Sequence, residues 1–173
     1  MIEIQHYDKA AHNFYSKQSV NSFPLLAWDL FVEQFKTTSE GLNDAVKFKK
    51  IAAFNKWSST IPFKDEILVK NHVIVVTDSN LNIVYSSKNI KKMNGYTPEE
   101  IIGKNPKMFQ GKHTCKKTAF KIGQAIKNRT PFEETILNYR KDGTTYNCWI
   151  KGTPIKDIKG NVVNFIAFEK EVA

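Results

Sequence analysis

At His72 the hydrophobic pattern changes period, and that change limits what the chain can fold into. Before it, "NSFPLLAWDLFVEQFK" places Leu25, Trp28, Val32 and Phe35 at helical spacing, with Leu26, Leu30 and Phe31 widening the stripe. After it, "HVIVVTD" and "IVYSS" alternate at period two around the turn "DSNLN", the pattern of a β-hairpin. A helical stripe and a strand alternation bury different faces, so the chain needs one helical part and one sheet part. The expected division is 1–70, an N-terminal helical extension acting as cap or dimerisation element, and 71–173, a sheet domain.

Within the extension two helices are expected. The first opens at Ser22 as N-cap with Pro24 in its first turn, and the second begins near Ser39 and covers Leu42 to Trp57. "SSTIPFKDE" reads as the connector to the sheet. Beyond the hairpin, Ser87 is a candidate cap for a short helix ended by Gly95. "TPEEIIG" has Thr97 as cap, Pro98 first and Glu100 three residues on, which is a capping box. "NPKMF" repeats the device with Asn105 and Pro106. A longer helix from about Thr114 to Asn128 puts Ala119, Ile122 and Ile126 on one side. Three strands follow, roughly Phe132–Tyr139, Thr144–Ile155 and Asn161–Val172, joined by "RKDGT" and "KDIKG".

Composition removes several classes of function. No apolar run approaches the roughly 18 residues of a membrane span, and the N-terminus lacks the basic-then-apolar order of a signal peptide. Two cysteines, Cys115 and Cys148, make no disulfide framework and suit the cytoplasm. The net charge of +9 lies wholly in residues 88–151, which hold 14 Lys/Arg against 5 Asp/Glu. Those lysines are scattered without interleaved aromatics, so they read as a solvated face and nucleic acid is not the expected partner. The four histidines show no metal-ligand spacing, so no metal is expected. No nucleophile elbow, P-loop or paired catalytic carboxylate is present, and the chain is not expected to be an enzyme.

The order of elements, together with "GYTPEEIIGKNP", "NYRKDG" and "GNVVNFIAFEKEV", resembles the PAS family over residues 70–173. The resemblance implies an α+β fold: a five-stranded antiparallel PAS sheet with short helices on one face, preceded here by the helical extension. It also implies a sensory or signalling module that binds a small ligand, or serves as a ligand-free interaction and dimerisation module. Within the family the pattern is closest to the flavin-binding LOV branch, whose "GxNCRFLQG" corresponds to Gly103 through Gly111. Asn105, Gln110 and Asn138 stand where that branch places flavin-facing amides, and Lys107 stands in place of a phosphate-binding arginine. Pro106 replaces the photoactive cysteine, and proline has no nucleophilic atom, so no thiol adduct forms at that position. Gly123 replaces a second basic residue, Cys148 another amide, and Glu169 a glutamine. The cofactor is therefore left unknown, with a flavin in a cysteine-less flavoprotein as one candidate.

Strand alternation sorts the side chains independently of the resemblance. Val163, Phe165, Ala167 and Glu169 share one face of the last strand, while Val162, Asn164, Ile166 and Phe168 share the other. In the strand before it, Tyr146, Cys148 and Ile150 oppose Asn147, Trp149 and Lys151. With Cys148 and Glu169 inward, the inner wall mixes apolar and polar groups, and Glu169 needs an amide, cation, water or ligand beside it. Outward, Trp149, Ile166, Phe168, Val162, Leu137 and Tyr139 form an apolar patch that calls for a cover. Residues 22–35 are expected to supply it, in one chain or across a homodimer. The chain ends directly after the last strand, so output is expected in trans, through an unidentified signalling protein or through self-association.

Overall fold

The computed structural model describes residues 25–173, with side chains described from residue 31 onward. It divides into two compact units, Met1–Lys36 and Thr37–Ala173. The expected cap at Ser22, Pro24, and the side chains of Leu25, Leu26, Trp28 and Leu30 lie outside the described residues.

Helix α1 runs without a break over Leu25–Phe54, where two helices were expected. Thr37, Thr38 and Ser39 lower helix propensity by only a few tenths of a kcal/mol each, too little to break the helix. Gly41 is buried, and a Cβ there would sit 2.5 Å from Leu68 Cδ2, so the glycine admits the connector that follows. That connector includes a π-helical turn, Asp65–Val69.

The sheet consists of β1 (Val73–Asp78), β2 (Ile83–Ser86), β3 (Phe132–Tyr139), β4 (Thr145–Lys156) and β5 (Val162–Val172). Its order is β2-β1-β5-β4-β3, with every pairing antiparallel. Between β2 and β3 lie α2 (Ile90–Asn94), α3 (Pro98–Ile101), a 3-10 turn (Pro106–Phe109) and α4 (Lys116–Lys127). Gly95 closes α2 in the left-handed region, at φ 82°, as a C-cap glycine should. The box at Thr97 is formed: the Thr97 N–H donates to Glu100 Oε2 at 2.9 Å. Ser87 has a different task from the expected cap. Its hydroxyl accepts the Ile74 N–H at 2.8 Å and so ties the strand end to β1.

Period-two alternation splits the core into two layers. The inner layer gathers Val73, Val75, Ile83, Ile90, Ile101, Phe109, Ile136, Tyr146 and Cys148. The outer layer gathers Ile74, Val76, Ile155 and Ile166 from the sheet. Its cover is Ala45, Phe48, Phe63 and Ile67, with Phe168 and Trp57 at the margin. The expected cover, residues 22–35, lies mostly outside the residues whose side chains are described. Phe31, Val32 and Phe35 are 69%, 61% and 76% exposed. Phe48 is fully buried, stacked on Phe63 and edge-on to Tyr85.

A buried carboxylate fastens α1 to the sheet. Asp44 accepts from Tyr85 Oη at 2.9 Å and from the Lys88 N–H at 2.6 Å. Burial raises its pKa, and those two donors offset part of the rise.

Phe48→Ala is expected to destabilise the protein by about 3–5 kcal/mol, because no neighbour can collapse fully into the space of a ring. Chemical denaturation monitored by far-UV circular dichroism measures it, and a loss below about 1 kcal/mol would show that Phe48 is not the centre of the cover.

Candidate functional site

A cavity of about 570 Å³ lies between the inner sheet face and the helices. That volume falls within the range of roughly 300–1,000 Å³ usual for small-molecule sites. Its apolar wall includes Val75, Phe109, Ala119, Ile122, Ile126, Phe132, Ile150, Phe165 and Ala167. Polar groups converge on it from several elements: Thr77 from β1, Asn105 and Lys107 at the 3-10 turn, Gln110 after it, Gln124 from α4, Asn138 from β3 and Glu169 from β5.

Local structure explains how each is presented. Asn105 Oδ1 accepts the Lys107 N–H at 3.0 Å, so the residue caps the 3-10 turn while lining the cavity. Pro106 occupies the first position of that turn, where the missing N–H leaves no acceptor unserved. Gly111 then lies flat against Tyr139, since a Cβ there would come within 2.6 Å of the ring. The same loop is stitched to β3: Thr114 Oγ1 donates to the Leu137 carbonyl at 2.8 Å, and the His113 N–H donates to Tyr139 Oη at 2.9 Å. Tyr139 is thus covered by this loop. Across the β3–β4 ladder Phe132 pairs with Gly152, whose missing side chain makes room for the Phe132 ring.

Five of the residues singled out by sequence line the cavity: Asn105, Lys107, Gln110, Asn138 and Glu169. Cys148 does not. It is fully buried in the inner layer and donates weakly to Glu169 Oε2, at Sγ–O 3.9 Å. Asn138 and Glu169 are buried, whereas Asn105 and Lys107 are exposed at the rim. Gly123 lines the cavity beside open space, so this wall carries no charge. Thr77 and Gln124 were not singled out. Thr77 shares the inward face of Val73 and Val75, so strand alternation alone would have found it. Its Oγ1 is buried and has no hydrogen-bond partner.

Glu169 is the electrostatic anomaly. Burial pushes its carboxyl up to about 7, only partly offset by the Cys148 thiol. The same burial, with the neighbouring carboxylate, raises the Cys148 thiol far above its ordinary range. Tyr146, from the same wall, is also raised, first by burial. Among the described residues, no group of three or more metal-ligating side chains occurs, and no helix is long and apolar enough to cross a membrane.

With this geometry in view, a family model for the PAS domain matches residues 71–172. The chain belongs to the PAS domain family. Phototropin-2 of Oryza sativa subsp. japonica is 35% identical over 113 residues, covering 64% of this chain and 12% of that protein. Protein TWIN LOV 1 of Arabidopsis thaliana is 33% identical over 119 residues, covering 66% of this chain and 30% of that protein. The chain therefore spans only a minor part of these curated relatives. The light-state structure of the blue-light photoreceptor Aureochrome1 LOV matches with TM-score 0.56 at 34% identity, over 58% of this chain and 80% of that one. Its dark-state structure matches with TM-score 0.60 at 29% identity, over 67% and 86%. This is a PAS sensory domain close to the LOV branch.

Glu169 predicts a pH signature. Its folded-state pKa lies above the unfolded value, so the folded protein binds the extra proton. The stability it contributes is complete below about pH 4.5 and is lost as pH rises through about 7. The total is on the order of 3 kcal/mol, at 1.36 kcal/mol per unit. Melting temperatures across that window should fall more steeply for the wild type than for Glu169→Gln, and parallel curves would show that Glu169 titrates normally.

Proposed function

We propose that this PAS domain is a sensory module whose signal is a small planar ligand held in the inner cavity, and that it acts in trans or through self-association. The single observation behind this reading is the cavity, where buried Asn138, Glu169 and Thr77 converge among apolar walls. A sheet and helices that merely packed against each other would leave no such volume beside the unpartnered Thr77 hydroxyl and a buried carboxyl held by one thiol. The ligand-free alternative lacks this support. The residues assigned to the ligand are Gln110 and Asn138 for hydrogen bonds along its edge, Asn105 and Lys107 at the rim, and Glu169 at the inner wall with Cys148 behind it.

A flavin fits the amides and the cation of this set in outline, and Glu169 is the member it does not match, since a flavin edge carries no pair of parallel N–H donors. Asn105, Gln110 and Asn138 offer amides, Lys107 offers a cation for a phosphate tail, and the apolar walls suit a ring system. A bound flavin would supply visible absorption and reversible electron uptake. This chain's own residues would hold and shield it, but Pro106 carries no atom able to bond to it. Similarity to blue-light photoreceptors supports the same candidate. The relatives are sensory domains, which supports a non-catalytic role, and the free thiols Cys115 and Cys148 suit the cytoplasm.

Native protein should release a small molecule on denaturation, and Gln110→Leu combined with Asn138→Leu should release several-fold less at equal folded yield. Mass spectrometry of the released fraction reads this, and equal retention would refute the ligand assignment.

Self-association is the second element of the proposal. In α1, Phe31, Phe35, Leu42 and Val46 recur at helical spacing, and all four are exposed. A second copy of the same helix is the partner whose stripe matches this one. Light scattering should find a dimer in the wild type and a monomer in Phe35→Asp; a monomeric wild type would rule the dimer out.

A further inference from the structure

Glu169 asks for something that the protein does not provide. It sits in β5 between Val73 of β1 and Ile150 of β4, in the middle of the sheet, and is 5% exposed. Its only hydrogen bond among those described comes from the Cys148 thiol at 3.9 Å, and a thiol is a weak donor. The ionisable groups facing it are few. β4 contributes Cys148 and Tyr146, the neighbouring Val73 of β1 and Asn138 of β3 do not ionise, and the cavity surface of α4 carries no charge. Lys107 lines the same cavity from the 3-10 turn but forms no ion pair with Glu169 among the described residues.

A carboxylate has only acceptor sites, and two oxygens in a plane suit two parallel N–H donors. The amides Gln110 and Asn138 can donate or accept and adapt to either kind of edge. Glu169 cannot adapt without taking up a proton. It therefore selects among ligands where the amides do not.

We propose that the cavity is specific for a planar aromatic ligand carrying an amidine- or guanidine-type pair of N–H donors, and that Glu169 is the residue that sets this specificity. The inference rests on the ligand-binding reading above and deepens it. Binding such a ligand requires the ionised carboxylate, so affinity rises with pH through neutrality. A ligand presenting an acceptor edge would instead need the protonated acid and would lose affinity over the same range.

The test uses the full chain and two bicyclic probes of matched shape, 2-naphthamidine and 2-naphthamide, in calorimetric titrations at about pH 6 and about pH 8. The amidine keeps its charge across that range, so any change belongs to the protein. Expected are binding of 2-naphthamidine about tenfold tighter at the higher pH, and little pH dependence for the amide. Glu169→Gln should remove the amidine's pH dependence and weaken it by about tenfold or more at the higher pH. The wild-type pH profile stands by itself should that variant fold poorly. An amidine affinity that ignores pH in the wild type, or an amide that binds more tightly than the amidine at about pH 8, overturns the specificity and leaves the ligand reading intact. Binding of neither probe, with no small molecule released from native protein, overturns both.

Discussion

A pleated sheet one residue thick separates two unlike compartments, and every other feature depends on that separation. Successive residues of β5 point to opposite sides: Phe168 borders the outer cover, while Glu169 faces the cavity. A slip of one residue in register would turn Glu169 toward the outer cover and Phe168 toward the cavity. The fold therefore tolerates no ambiguity in how β5 pairs with β1 and β4. The bulges between Val76 and Thr77 and between Ile155 and Lys156 fall near strand ends, away from Glu169.

The two compartments are held by different physics. Outside, aromatic and aliphatic contact around Phe48 dominates, with Asp44 locking helix to strand through Tyr85 and the Lys88 amide. Inside, apolar packing is incomplete, and what remains is a cavity bordered by an unpartnered Thr77 hydroxyl and a Glu169 carboxyl with one weak donor. A protein gains no stability from such a space. That space is the observation behind the ligand-binding proposal.

Much of the sheet was legible in the sequence because period-two alternation is a strong signal. The opposed sets Phe165, Ala167, Glu169 and Ile166, Phe168 follow from it directly. The caps at Thr97 and Asn105 were legible for a similar reason, since each depends on residues three or fewer apart. What could not be read were contacts fixed by distant segments. Gly41 resembles a helix breaker until Leu68 arrives against it. Asp44 reads as a solvated helix residue until Tyr85, 41 positions away, donates to it. Cys148 and Glu169 meet diagonally, because Ile150 is the register partner of Glu169 and Cys148 pairs with Glu171. Sequence placed both on one face but gave no register to connect them.

Ile166 gives the partition a consequence of its own. Its side chain packs in the outer layer, yet the residue also borders the inner cavity, so one residue of β5 is common to both compartments. Only the thickness of a backbone separates the hollow from the seat of Phe48, as a drumskin separates the air on its two sides.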